Sequence, residues 1–263
     1  MRSGIKSLFE KYNLIHYYRI YKQIRKNKIS NKLFAKDWQA FDNSANKSIE
    51  RFNKDVIEFW PIMTDKTANT SFEPHYIYHP AWAARILVIT NPKKHIDISS
   101  TLHFCTMVSA FMPVEFYDYR PANLKLDNLI AKKADLLALP FNDNTIESLS
   151  CMHTLEHIGL GRYGDQIDYD GDLKAVNELK RVLAINGTLL IVVPTGKSKI
   201  AFNAHRVYSY KQIITYFSPL QLQQFALVPD NFEEMGLIMN ASEEIADQQT
   251  WGCGCYWFKK PIA

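Results

Sequence analysis

The segment from Ala134 to His157 constrains this chain more than any other. It runs from an acidic loop, Asp135 and then Leu139-Pro140-Phe141-Asn142-Asp143-Asn144, into a short buried strand over 148–151. A polar turn holding His153, Glu156 and His157 follows. A buried strand that gives way at once to histidines and a carboxylate is the pattern of a sheet whose carboxyl edge carries the chemistry. The three polar residues stand at i, i+3 and i+4, so a helical turn puts them on one face.

The flanking sequence repeats this alternation. Strands are predicted over 95–98, 114–119, 134–137, 148–151 and 188–193, with helices over 101–111, 122–132, 154–160 and 172–184 between them. The run from Thr188 to Val193 is apolar almost throughout, as expected of a strand covered on both faces. Asn186-Gly187 supplies the turn after the helix ending near Leu183, because glycine tolerates positive φ. Such alternation predicts an α/β fold with a Rossmann-like, doubly wound, mostly parallel sheet.

Two parts are expected: residues 1–72 as a helical N-terminal extension and linker, and residues 73–263 as the α/β domain. Over 4–35, Leu8, Tyr12, Ile15, Tyr18 and Tyr21 drift along one side of a basic helix. A second helix is predicted from Phe41 to Trp60, closed by Pro61, and a polar linker over 64–74. A short helix over 80–87 then begins with Pro80 in its first turn.

Charge follows the same division. Residues 1–36 hold ten Lys or Arg and one acid, Glu10, so the net +4 divides into +9 there and −5 elsewhere. A basic excess confined to one end argues against a nucleic-acid-binding body. It suits either a peripheral membrane contact or a protein partner through residues 1–36. No run of about 18 apolar residues and no apolar leader are present, which predicts a cytoplasmic protein, possible contact with the inner membrane surface aside. The four cysteines, Cys105, Cys151, Cys253 and Cys255, make no disulfide framework for a domain of this size. Cys253-Gly-Cys255 is a poor metal site by itself, since tetrahedral zinc takes four ligands and no second pair follows; no metal is expected.

Asp135 followed by Leu139-Pro140-Phe141, with Glu156-His157 beyond the next strand, resembles the middle of the class I S-adenosylmethionine-dependent methyltransferases. The resemblance implies a sheet of that type, S-adenosylmethionine as cofactor, and an antiparallel final strand over 251–258. Asp97 matches the acidic position of the family's first motif, while Ser99, Thr101 and His103 stand where its glycines would be. Ser99 can still offer a backbone N–H, and His103 obstructs the nucleoside pocket unless it points away. By the same resemblance Asp118 receives the ribose hydroxyls, and Asp135 with Leu136 receives the adenine. His153, Glu156, His157 or His205 would accept a proton during methyl transfer.

The glycine-rich segment 158–172 reads as a shaped loop over the site. Arg162 and Tyr163 in this loop, with Arg206 in the segment 202–208 after the strand over 188–193, are candidate substrate contacts, because guanidinium groups match phosphate and carboxylate. The bland alternative is a salt-bridged lid in which Arg162 pairs with Asp165 or Asp168. With Glu73-Pro74-His75-Tyr76 and Trp82-Ala83-Ala84-Arg85, these segments resemble the uncharacterised domain-of-unknown-function family 268 over roughly 73–225. As a bacterial, methyltransferase-like group often associated with surface-polysaccharide biosynthesis, that family implies methyl transfer to a sugar or lipid-linked glycan precursor. Two rivals stay open: a non-catalytic binding or scaffold domain, and a nucleotide-sugar-binding glycan enzyme.

Overall fold

A computed structural model of the chain describes residues 15–44 and 58–262. It separates into two units that meet in sequence between Ser71 and Phe72. In the first, α1 (Ile15–Ser44) is a single long helix. Residues 1–14 and the side chains of 15–27 lie outside the described residues, and with them most of the basic, aromatic face. Most of the helix expected over 41–60 lies outside the described residues. Residues 41–44 finish α1, residues 45–57 lie outside the described residues, and 58–60 are irregular. Among the described residues no helix is long and apolar enough to cross a membrane.

The second unit is built on an eight-stranded sheet. Its strands are β1 (His95–Ile98), β2 (Val114–Asp118), β3 (Leu129–Lys133), β4 (Ile146–Met152), β5 (Leu183–Thr195), β8 (Gln221–Val228), β9 (Ile238–Met239) and β10 (Gly252–Lys259). The strand order is β3-β2-β1-β4-β5-β10-β8-β9, and β6 (Lys199–Ala201) pairs with β7 (His205–Val207) as a separate hairpin. Strands β1 to β5 pair in parallel, whereas β10 runs antiparallel between β5 and β8. The fold is thus mixed α/β with a mostly parallel, Rossmann-like sheet of the class I methyltransferase type.

Both faces are covered, and β5 shows how. Leu189, Ile191 and Val193 enter one core with Val176 and Leu179 of α4 (Gly171–Val182) and Phe217 of α5 (Tyr210–Phe217). Leu190 and Val192 enter the other, with Trp82 and Leu87 of α2 (Pro74–Thr90) and Phe104 of α3 (Leu102–Val108). Period-two alternation between two dry faces is why this strand reads as continuously apolar.

Several boundaries differ from expectation. The helix predicted over 122–132 is irregular chain followed by β3, because Asn128 at φ 58° breaks any helix and Leu129 turns inward while Ile130 stays exposed. The strand predicted over 134–137 is the turn after β3. Residues 154–160 form only a 3-10 turn, Leu155–His157. The positive φ near 186–187 falls on Asn186, at 61°, inside β5. The helix expected from Pro80 starts six residues earlier: Glu73 caps it by accepting the His75 N–H, Pro74 opens it, and Pro80 lies within.

Candidate functional site

Strands β1, β2 and β4 end on the same side of the sheet, and a cavity of about 390 Å³ opens there. Its floor is Ser99 after β1, Asp118 at the end of β2, Asp135 and Leu136 after β3, and His153 after β4. His157 and Tyr163 wall the far side. This is the position at which open parallel sheets receive ligands.

The loop after β1 turns without glycine. Ser99 occupies the left-handed region at φ 56°, which costs a non-glycine residue roughly 1–2 kcal/mol. Its N–H and its hydroxyl both donate to the Tyr117 carbonyl, at 2.8 and 3.2 Å, and its own carbonyl accepts from the Thr154 hydroxyl at 2.8 Å. The serine is therefore locked to its neighbours, and the expectation that it offers an N–H to a ligand fails. Thr101 caps α3 by accepting the Phe104 N–H, and His103 is exposed and absent from the cavity lining. The feared obstruction does not arise.

Asp97 is a second correction: it is fully buried and does not line the cavity. Its carboxylate accepts the Ser100 N–H at 3.0 Å and the Ser150 hydroxyl. Ser150 also lies 2.8 Å from His95 Nε2, and His95 Nδ1 lies 2.8 Å from the Ser148 hydroxyl. This polar chain ties β1 to β4 beneath the cavity. Burial raises the Asp97 pKa to about 6, against partial relief from the serine hydrogen bonds, and lowers that of His95 to about 3.

Asp118 and Asp135 do line the cavity. Each uses one oxygen on its own turn, Asp118 accepting the Arg120 N–H at 2.6 Å and Asp135 the Leu137 N–H at 2.9 Å. The second oxygen of each remains for a ligand. Leu136 is buried beside them. Arg120 and Tyr119, which sequence reasoning passed over, complete this wall, and the Arg120 guanidinium lies 4.8 Å from the Tyr163 ring centre.

The histidines divide. His157 lines the cavity and donates from Nδ1 to the Ala204 carbonyl at 2.6 Å, which leaves Nε2 with the lone pair. Burial lowers its pKa below the ordinary 6.5, so the ring is a neutral base at neutral pH. His153 also lines the cavity, but Nδ1 faces Glu156 Oε1 at 2.9 Å and Nε2 lies 3.5 Å from Cys253 Sγ. Glu156 is buried behind it and has no place in the lining. His205 is set against Trp251, ring centres 4.0 Å apart, and likewise stays outside.

Neither arginine is part of the cavity lining. Arg206 is buried, 3.5 Å from Asp172, and donates to the Ile158 and Tyr169 carbonyls, so it pins the loop rather than meeting a substrate. Arg162 donates to the Ala204 carbonyl at 3.1 Å and lies over Tyr163, 5.1 Å from its ring centre. It does not pair with Asp165 or Asp168. Asp165 instead receives the N–H groups of Gly159, Gly161 and Tyr163, while Asp168 pairs with Lys174.

The comparisons agree with this architecture. A family model described as "Caenorhabditis protein of unknown function, DUF268" matches residues 140–226, so the resemblance expected over 73–225 holds only for its second half, and a bacterial origin is not part of it. The uncharacterized protein MJ0638 of Methanocaldococcus jannaschii is 31% identical over 97 residues, 36% of this chain; the match spans about a third (34%) of that relative's length. Among solved structures, the N-methyltransferase NodS of Bradyrhizobium japonicum in complex with S-adenosyl-L-homocysteine is similar at TM-score 0.51 and 12% identity, over 72% of this chain and 89% of that one. A putative sarcosine dimethylglycine methyltransferase of Galdieria sulphuraria is similar at TM-score 0.49 and 14% identity, over 69% and 85% of the two chains. The fold is methyltransferase-like.

Proposed function

We propose that this chain is an S-adenosylmethionine-dependent methyltransferase acting on a hydroxyl of a small acceptor, of the sugar or glycan-precursor class. The observation that carries the reading is the pair of cavity carboxylates, Asp118 and Asp135, each with an oxygen left over at the carboxyl edge of a methyltransferase-type sheet. S-adenosylmethionine, when bound, supplies a methyl group already activated by its sulfonium. Asp118 would accept the ribose hydroxyl protons, Asp135 would receive the adenine amino group, and Leu136 would pack against the base. The chain's remaining task is to place the acceptor and take its proton, and positioning alone supplies much of such a rate. His157 is the residue for the proton, through Nε2, with its tautomer fixed by the Ala204 carbonyl. Tyr119 and Tyr163 give the opening an amphipathic rim suited to a polar ring.

A binding module without catalysis is the second reading, favoured by the closure of Ser99 on Tyr117 where an open loop would reach a ligand. Calorimetry with S-adenosylhomocysteine separates the two. Micromolar binding that Asp118→Ala abolishes and His103→Ala leaves intact supports the methyltransferase. Silence from folded protein sinks it.

A further inference from the structure

Behind the cavity wall, three segments far apart in sequence bring metal-binding side chains together. His75 and His79 lie one turn apart on α2, His153 follows β4, and Cys253 opens β10. Donor atoms of His75, His153 and Cys253 all lie within 4.8 Å of one another. The rings of His75 and His153 stack 5.4 Å apart at 7°, and His79 meets His153 edge-on at 5.1 Å. These side chains are buried: Cys253 and His79 are 0% exposed and His75 is 5% exposed. From this arrangement we propose that His75, His153 and Cys253 bind a zinc-class divalent ion, with His79 as the fourth donor.

Hydrogen bonding around the rings supports the assignment. Each histidine has one nitrogen set against an acceptor: His75 Nε2 against the Trp251 carbonyl at 3.1 Å, His79 Nδ1 against the His75 carbonyl at 2.6 Å, and His153 Nδ1 against Glu156 at 2.9 Å. Acceptors fix the proton on those nitrogens and leave the lone pair on the other one, which is how outer-shell groups prepare imidazole ligands. The free nitrogen of His79, Nε2, is buried without a partner, and so is the second oxygen of Glu156. A buried, unpaired polar atom has given up its water without gaining a partner and so destabilises the fold. Coordination removes that cost for His79, and a divalent charge nearby stabilises the Glu156 carboxylate. Around one zinc ion, with bonds of about 2.0–2.3 Å, tetrahedral donors stand roughly 3.4–3.7 Å apart, so the donors of His75, His153 and Cys253, now within 4.8 Å, draw in by about an ångström on binding, and His79 moves up to join them. The His153 Nε2 to Cys253 Sγ separation of 3.5 Å already fits. One imidazole–thiolate set of this kind suits zinc over magnesium or calcium.

The sequence spacing could not show this. Cys253-Gly-Cys255 lacks a second pair of its own, and the missing ligands come from α2 and from the turn after β4. The site stands independently of methyl transfer, although His153 belongs to both it and the cavity lining.

The test is cobalt titration of the metal-stripped full chain, read by absorbance. A stoichiometric thiolate-to-cobalt charge-transfer band is expected, accompanied by the intense visible bands of a tetrahedral ion and displaced by zinc. Cys253→Ser removes the charge-transfer band and leaves S-adenosylhomocysteine binding unchanged, whereas Cys255→Ser keeps the band. Glu156→Gln weakens cobalt binding roughly 10- to 100-fold, and His79→Gln dims the visible bands. Lack of a charge-transfer band in the wild-type chain overturns the proposal, whatever the variants do. Survival of the band in Cys253→Ser overturns it equally.

Discussion

The two loops that frame the cavity solve the same steric problem in opposite ways. After β1 the backbone enters the left-handed region on Ser99, and every polar group of that residue is returned to the protein. Over 158–171 the backbone does so on glycines, at Gly159, Gly161 and Gly164, and is held by one carboxylate, Asp165. In the first loop rigidity comes from hydrogen bonds and the residue type is tolerated. In the second the shape depends on missing side chains. The chain has placed its backbone freedom on the covering loop and removed it from the floor.

Gly159→Ala is the sharpest way to break this contrast. A Cβ there would sit 2.1 Å from the Asp168 carbonyl oxygen at a φ of 78°, so the loop must move. We expect a loss of about 3 kcal/mol or more in urea unfolding, drawn from overpacking and left-handed strain together, and loss of ligand binding at the cavity. Next comes the pH dependence of the floor. The Asp97 pKa is raised from 3.8 to about 6, so the folded state binds the extra proton between those values. Stability from this group is present at the acid end of that window and falls as pH rises through 6, by up to roughly 3 kcal/mol. Asp97→Asn, which keeps an acceptor for the Ser100 N–H but turns an amide donor toward the Ser150 oxygen, is expected to flatten that slope in melts at about pH 4, 6 and 8.

Asp165→Ala removes the acceptor for three N–H groups of the covering loop and is expected to cost about 2 kcal/mol. Hydrogen exchange confined to 158–171 would check it; uniform change across the sheet would contradict it. Gly164→Ala meets nothing within 4 Å and carries only the φ penalty, about 1 kcal/mol. The smallest effect belongs to Ser99→Gly: relief of strain is offset by a lost hydroxyl bond and greater chain freedom, leaving a change within about 1 kcal/mol. A large loss there would mean that the hydroxyl, more than the backbone, shapes the floor.

These loops also mark where the sequence could be read and where it could not. Strand β5 was legible because dry, two-sided burial leaves an unbroken apolar run, β1 and β4 because they alternate with helical segments, and α4 because Val176, Leu179 and Leu183 recur at helical spacing. Edge strand β3 was not, since one face is solvated and Leu129 to Lys133 mimics a helix as easily as a strand. Asp118, Asp135, Leu136 and His157, expected at the carboxyl edge from their places after strands, do line the cavity. Asp97, Glu156, His205 and Arg206 have the same chemistry but point it into the protein, and orientation has no signature in residue type. The pairing of His75 with Cys253 was beyond reach: it depends on α2 and β10 meeting across the sheet, although two histidines at helical i, i+4 spacing were a hint.

The place of β10 carries a consequence for how the molecule is made. It lies between β5 and β8 with antiparallel partners on both sides, yet among the described residues it is the last of the ten strands in chain order. Until residues 252–259 leave the ribosome, β5 and β8 each present an open edge, and Cys253 cannot join its histidines. At synthesis rates of about 5–20 residues per second, that interval lasts seconds. A nascent chain halted before Gly252 would hold most of its core, two sticky sheet edges and no means of closing them.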